Sequence, residues 1–428
     1  MSIKILLNSL SEVAKNKIID DLSFTPETMK FYKQQRFRPK EDPVCAYDID
    51  SDDNVYLPFS YSMKNMQEYI SLPSTKDYKK INCNFVATLR KLQEEVYPEI
   101  YSKIKENGTV KLSFYPGFGK TTMSIYLASK LKLQTVILCH RNVLIEQWKE
   151  SIERCIENPK IQVLKAGKQL DENAQFVIIS AYILPKLGWM FKNVGTLVVD
   201  EIHTFATKLL SKSLIYFTPR YLVGLSATPY RSDGMDRLLD AYFGEERIDR
   251  KLYRPHTYYN VQTKLKPEIR KNEQGELIWD SILEWQSNCP ERNKMIVNII
   301  KKYPERHFLV LTKRVEQAKT LKELLINENE VVDTLVENET FFDKSARVLI
   351  ATIQKCGVGF SHDILDALVV ATDCEEYFIQ YLGRVMRTEE GEPIVFDLVD
   401  DHPTLKRHFT TRKKTSEEAG GTIVKYKI

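Results

Sequence analysis

The residues best suited to chemistry begin at Phe114-Tyr115-Pro116-Gly117-Phe118-Gly119-Lys120-Thr121-Thr122, which follows the apolar run VKLSF and opens the helical pattern TTMSIYLASKL. A phosphate-binding loop needs small residues so that backbone N–H groups can approach the oxygens. It also needs a lysine for the β/γ charge and a hydroxyl for Mg²⁺. Gly117, Gly119, Lys120 and Thr121 meet those needs, with Pro116, Phe118 and Thr122 completing the loop. Phe114 stands where the general pattern has its first glycine. Downstream, Val198-Val199-Asp200-Glu201-Ile202-His203 sets two adjacent carboxylates at the end of an apolar strand. Such a pair is costly there unless it holds a cation and a water. Asp200 then reads as a Mg²⁺ carboxylate acting through the ion's water shell, and Glu201 as the group that polarises an attacking water. The chemistry implied is hydrolysis of a nucleoside triphosphate.

The elements that must position these groups are legible as alternating patterns. From about residue 110 to 228, the β-branched runs VKLSF, TVILC, QFVIIS, TLVVD and YLVGLSA alternate with amphipathic stretches such as VLIEQWKESIERC, as in a parallel sheet. The pattern returns after residue 305 with HFLVLT, a helix VEQAKTLKELL, RVLIAT, ALVVAT, a helix around YFIQYLGRVMR, and PIVFDLVD. The fold class expected is α/β, with two tandem parallel-sheet domains. Residues 1–75 are expected as a small N-terminal accessory module, 76–245 as the first lobe, 246–288 as a polar linker with a turn or hairpin at RKNEQGE, and 289–428 as the second lobe.

Once those motifs are set in order, Asp200-Glu201-Ile202-His203 resembles the DExH box of superfamily 2 helicases. Leu89-Arg90-Lys91-Leu92-Gln93 resembles the upstream LRxxQ element, which implies that Gln93, with Arg90, meets the adenine of ATP. Val136 to Trp148, with Leu144 and Gln147, resembles motif Ia, and Ser180-Ala181-Tyr182 the next strand-tip element; the resemblance implies that both touch a nucleic-acid backbone. Gly224-Leu-Ser226-Ala227-Thr228-Pro229-Tyr-Arg231-Ser-Asp233-Gly234 resembles the SAT motif with the trailing R-x-DG of the XPB-like branch. Gln380-Tyr-Leu-Gly383-Arg384-Val-Met-Arg387 resembles motif VI, which makes Arg384 and Arg387 candidate arginine fingers and couples His203 to Gln380. Thr312 closes HFLVLT as a further coupling residue. Thr352-Ile-Gln-Lys-Cys-Gly357-Val-Gly359-Phe360-Ser361 resembles motif V, where either Ser361 or Asp363 takes the usual acidic position. Phe396-Asp397-Leu-Val-Asp400, followed by Leu405, His408 and Arg412, resembles the close of an XPB-like second lobe. The resemblance spans residues 85–412 and extends to the helicases of large DNA viruses, of the poxvirus transcript-release type. It implies two RecA-like lobes, ATP and Mg²⁺ as cofactors, DNA more than RNA as the track, 3′-to-5′ movement, and RNA polymerase or transcription, recombination and repair factors as partners.

The remaining features bound this reading. A formal charge of +4 suits a polyanionic partner without requiring one. Seven scattered cysteines without a CxxC pair argue against a disulfide framework or a zinc site and for a reducing interior. No apolar segment is long enough for a membrane span, and the N-terminal run is interrupted too early for a signal peptide, so a soluble intracellular protein is expected. Phe31-Tyr-Lys-Gln-Gln-Arg36-Phe37-Arg38-Pro-Lys40 interleaves aromatic and basic residues, as a single-strand-binding surface or the edge of a small domain would. Arg412-Lys413-Lys414 reads as a solvated turn. Two rival functions stay open: a double-strand translocase that does not separate strands, and a catalytically silent nucleic-acid-binding subunit.

Overall fold

A computed structural model of the chain describes residues 2–25, 43–69, 78–187, 191, 194–227, 234–337, 339, 341–357, 362–375, 377–387 and 391–427. The chain divides into two compact units, residues 1–114 with 118–250, and residues 251–428 with 115–117.

The first unit begins with strands β1 (Ser2–Leu6), β2 (Ser23–Phe24), β3 (Val44–Cys45), β4 (Asp48–Ile49) and β5 (Asn54–Pro58). They form an antiparallel sheet in the order β1-β5-β4 and a small β2-β3 pair. The described apolar residues of this N-terminal region share the core of the main sheet: Ile3, Val55, Leu57 and Phe59 join one apolar cluster with Val136, Leu197, Leu222 and Phe243.

The main sheet of this unit comprises β6 (Thr109–Phe114), β7 (Thr135–Cys139), β8 (Ile161–Leu164), β9 (Phe176–Ser180), β10 (Thr196–Val199), β11 (Tyr221–Ser226) and β12 (Arg247–Arg250). Its order is β12-β6-β11-β10-β7-β9-β8 and every pairing is parallel. Strands buried on both faces need near-continuous apolar runs, which is what Thr135–Cys139 and Phe176–Ser180 supply. Parallel packing also puts all the C-terminal tips along one edge, where ligands bind in open α/β sheets. The phosphate loop and the acidic pair follow the tips of β6 and β10, and Ser226 ends β11, all on that edge.

The second unit holds β13 (His256–Gln262), a hairpin of β14 (Arg270–Lys271) and β15 (Leu277–Ile278), then β16 (Phe308–Thr312), β17 (Val332–Leu335), β18 (Val348–Thr352), β19 (Ala367–Val370), β20 (Ile394–Val399) and β21 (Gly421–Lys425). Its parallel sheet runs β17-β18-β16-β19-β20-β13-β21. Side chains alternate between its faces: Leu309, Leu311, Leu349 and Ala351 enter one cluster, Phe308, Val310, Val348 and Ile350 the other.

The stretch 246–288, expected as a linker, is built into both units. β12 extends the first sheet, β13 lies between β20 and β21 in the second, and Trp279–Asn288 is helical. The hairpin expected at RKNEQGE is present around the turn Asn272–Glu276. The expected solvated turn at Arg412-Lys413-Lys414 is instead part of the helix Pro403–Glu418, and Arg412 is buried. The candidate surface at 31–40 lies outside the described residues.

Candidate functional site

The phosphate loop leaves β6 at Phe114 and ends in the helix Lys120–Leu131, whose first turn presents backbone N–H groups. Gly117 and Gly119 both take left-handed φ, +90° and +91°. At Gly119 a Cβ would sit 2.4 Å from Gln93 Nε2 and 3.0 Å from Arg90 Nη2, so the loop closes only with glycine there. Gln93, buried at the start of the helix Lys91–Asn107, accepts from the Arg90 backbone N–H at 2.9 Å and donates to the Phe118 carbonyl at 2.8 Å. Arg90 donates to the same carbonyl through its guanidinium. The two residues of the LRxxQ element thus clamp the phosphate loop. Lys120 reaches back over the loop to donate to the Phe114 carbonyl at 3.0 Å.

Asp200 follows β10 and is buried. Its Oδ2 accepts the indole N–H of Trp148 at 2.8 Å and its Oδ1 accepts the Glu201 backbone N–H at 3.0 Å. Burial, with the Glu201 charge beside it, pushes the Asp200 carboxyl upward, while Trp148, the Lys120 ammonium and the Glu201 backbone N–H hold the ionised form. Lys120 and Asp200 therefore share one electrostatic site. Glu201 has φ +50° and ψ +56°, the left-handed region. Its Oε2 is buried with no hydrogen bond among the described residues and lies 3.4 Å from His203 Nδ1, which contacts Ser226 Oγ at 3.1 Å. His140, at the tip of β7, is pushed down to about 4 by burial, with Arg141 and His203 adding to the shift. Among the described residues no group of three or more His, Cys, Asp and Glu could hold a metal. A cation here would depend on Asp200 and the ligand's own phosphates, the way Mg²⁺ is usually bound.

In the second unit, Gln380 lies on the short helix Phe378–Leu382, entered through Tyr377 at φ +59°. The helix expected across 377–387 stops at Gly383, so Arg384 and Arg387 sit on the turn beyond it. Arg384 is buried against Cys356, whose thiol burial drives up to about 11 despite the neighbouring arginines. Arg387 pairs with Asp363 at 3.2 Å. Thr312 and Thr352 are cross-strand neighbours at the tips of β16 and β18, both buried. The loop before the motif VI helix is tied down by a polar network. Arg412 makes a bidentate pair with Asp397 (2.8 and 2.9 Å) and reaches Asp373 and the Cys374 carbonyl, both at 3.1 Å. His408 contacts Asp373 at 2.7 Å and Glu375 at 3.0 Å.

Residues 87–231 match the family model for the type III restriction enzyme res subunit. The protein named "Putative helicase 161L" of Invertebrate iridescent virus 6 is 39% identical over 405 residues, covering 88% of this chain and 91% of that protein. The chain belongs to the superfamily 2 helicases. This helicase is also 24% identical to the transcript termination protein A18 of Yaba-like disease virus over 375 residues, 74% of this chain and 76% of that one. A solved structure of S. cerevisiae Dbp5, bound to RNA and ADP BeF3, shares the fold at TM-score 0.54 and 14% identity, covering 78% of this chain and 89% of that one. The tandem RecA-like architecture, the use of ATP and the binding of nucleic acid come with the family. No helix of the described residues is long and apolar enough to cross a membrane.

Within the helicase, the first unit brings together Arg90, Gln93, Phe118, Gly119 and Lys120, and also Asp200, Glu201, His203 and Ser226. Of the residues expected at the nucleic acid, Gln147 is half-buried, while Ser180, Ser226, Thr312 and Thr352 are buried at strand tips. Gly357 ends the helix Ile353–Gly357. Thr228, Arg231, Asp233, Gly359 and Ser361 lie outside the described residues. Trp148, expected with its motif at the nucleic-acid backbone, turns inward to Asp200. Sequence reasoning missed this contact and the Asp373–Arg412–Asp397 network; the pairing of Asp397 with a downstream arginine was the available signal.

Proposed function

We propose that this helicase hydrolyses ATP with Mg²⁺ to move along nucleic acid, DNA in preference to RNA, in viral transcription at termination or transcript release. The observation that carries the catalytic part is the pair at the tip of β10. Asp200 is fixed by two donors and acted on by Lys120, while Glu201 keeps a carboxylate oxygen with no hydrogen bond among the described residues. In this reading Asp200 and Thr121 hold Mg²⁺, which would neutralise charge on the phosphates. Lys120 draws the phosphates to the loop, Glu201 polarises the water, and Arg384 and Arg387 deliver positive charge to the γ-phosphate. Gln147, Thr228 and the motif V loop grip the strand, with Ser180 buried at the tip of β9. Likeness to the A18 protein, named for transcript termination, supports the pathway and a polymerase or transcription factor as partner.

The test is an ATPase measurement on purified protein with single-stranded DNA, single-stranded RNA and duplex DNA, beside a strand-displacement assay and release of transcript from a stalled polymerase. Stimulation by DNA together with transcript release is expected. An ATPase indifferent to every nucleic acid would overturn the motor reading; stimulation by duplex without displacement would favour a double-strand translocase.

A further inference from the structure

The helix Asn142–Cys155 has an inner face on which Leu144, Ile145, Trp148, Ile152 and Cys155 are buried. An indole on such a face could serve packing alone. Here its only polar atom ends on a carboxylate: Trp148 Nε1 donates to Asp200 Oδ2 at 2.8 Å, between two buried side chains 52 positions apart in the chain. Indole has one donor and no acceptor, so in this bond the N–H gives and the Asp200 oxygen accepts. The other oxygen takes the Glu201 backbone N–H at 3.0 Å. Two donors arriving from different elements leave the carboxylate little freedom to rotate about its Cβ–Cγ bond. The lone pairs that remain therefore have a fixed direction. The N–H also offsets part of the cost of holding two carboxylates side by side in a buried place.

We propose that Trp148 is a positioning residue for the metal-binding carboxylate: its indole N–H, delivered by the helix that follows β7, orients Asp200 for Mg²⁺. This rests on the reading of Asp200 as the Mg²⁺ carboxylate. Partners that orient metal ligands from behind commonly contribute about 10–100-fold in metal affinity, which sets the size of the effect.

The experiment titrates Mg²⁺ against binding of a fluorescent, non-hydrolysable ATP analogue to the full-length protein, so that no turnover is needed. Trp148→Phe keeps an aromatic ring and removes the donor. A benzothienyl analogue of tryptophan placed at position 148 keeps the indole shape and lacks only the N–H, and it decides the matter if the phenylalanine variant fails to fold. Both should raise the Mg²⁺ needed for half-maximal binding about 10–100-fold while leaving binding of the analogue in EDTA unchanged. Asp200→Asn should abolish the Mg²⁺ dependence. A wild-type Mg²⁺ requirement in both donor-free proteins, with the dependence lost in Asp200→Asn, would reduce Trp148 to packing and leave Asp200's role intact. Unaltered dependence in Asp200→Asn would remove the Asp200 reading and this proposal with it.

Discussion

Glu201 holds φ at +50°, a region where a side chain costs about 1–2 kcal/mol. Strain of this kind at a residue whose carboxylate oxygen has no hydrogen bond among the described residues is what a catalytic position tolerates. Glu201→Gln keeps the shape and removes the charge. We expect turnover to fall about 10²–10⁴-fold, the usual contribution of a proton-transfer group, while ATP still binds and the protein stays longer on nucleic acid; loss of ATP binding in a single-turnover assay would contradict the assignment. Gly119→Ala makes the complementary test of the loop. A Cβ 2.4 Å from Gln93 Nε2, on a backbone at φ +91°, should lower stability by about 1–3 kcal/mol and weaken nucleotide binding. An unchanged melting temperature with normal ATP affinity would refute the clamp formed by Arg90, Gln93 and Phe118.

The loop 371–375, ahead of the motif VI helix, is held by a buried polar network. Arg412, from the helix Pro403–Glu418, pairs with Asp397 on β20 and Asp373 in the loop, all nearly excluded from water. Removing one partner of a buried pair leaves an uncompensated charge and costs about 3–5 kcal/mol. Arg412→Met should therefore lower the melting temperature and depress ATPase, whereas adding Asp397→Leu should recover part of the stability. Calorimetry showing equal stability of wild type and Arg412→Met would dismiss the network as a fastening. The same elements explain what the sequence revealed. TVILC and HFLVLT are continuous apolar runs that only a doubly buried strand needs, so their tips, and the motifs on them, could be placed from the residues alone. His256–Gln262 is a central strand too, yet it carries histidine, tyrosines, asparagine and glutamine. Its polarity is answered by Ser416 on His256 and by Asp397 on Tyr258, partners distant in the chain. β12 reads RIDR because its charges pair at the surface, Arg250 with Glu99. Arg412 looked solvated for the same reason: its carboxylate partners are brought to it by the fold.

The catalytic groups proposed above fall in different units of the molecule, and the need for both can be tested. The phosphate loop's lysine, Asp200 and Glu201 belong to the first unit, and Arg384 and Arg387 to the second. β12 pairs with β6, the strand that carries the loop, so a fragment should end after residue 250 and not at 245, where it would strip an edge from the sheet. The fragment 1–250 has its own apolar core and should bind ATP, but hydrolyse almost none, because it lacks Arg384 and Arg387, the arginines proposed to act on the γ-phosphate. With full-length protein, ATPase should respond alike to single strands of unrelated sequence, since contacts to phosphates carry no base information. Apparent affinity should fall steeply with salt as condensed counterions are released, by roughly 10³-fold or more between 50 and 200 mM if six or more phosphates are gripped. The net charge of +4 is too small to produce that slope by general attraction. A steep slope would therefore report basic residues gathered on one gripping surface, and a flat one would rule that surface out. Full stimulated turnover by the fragment 1–250 would refute the need for the second unit's arginines.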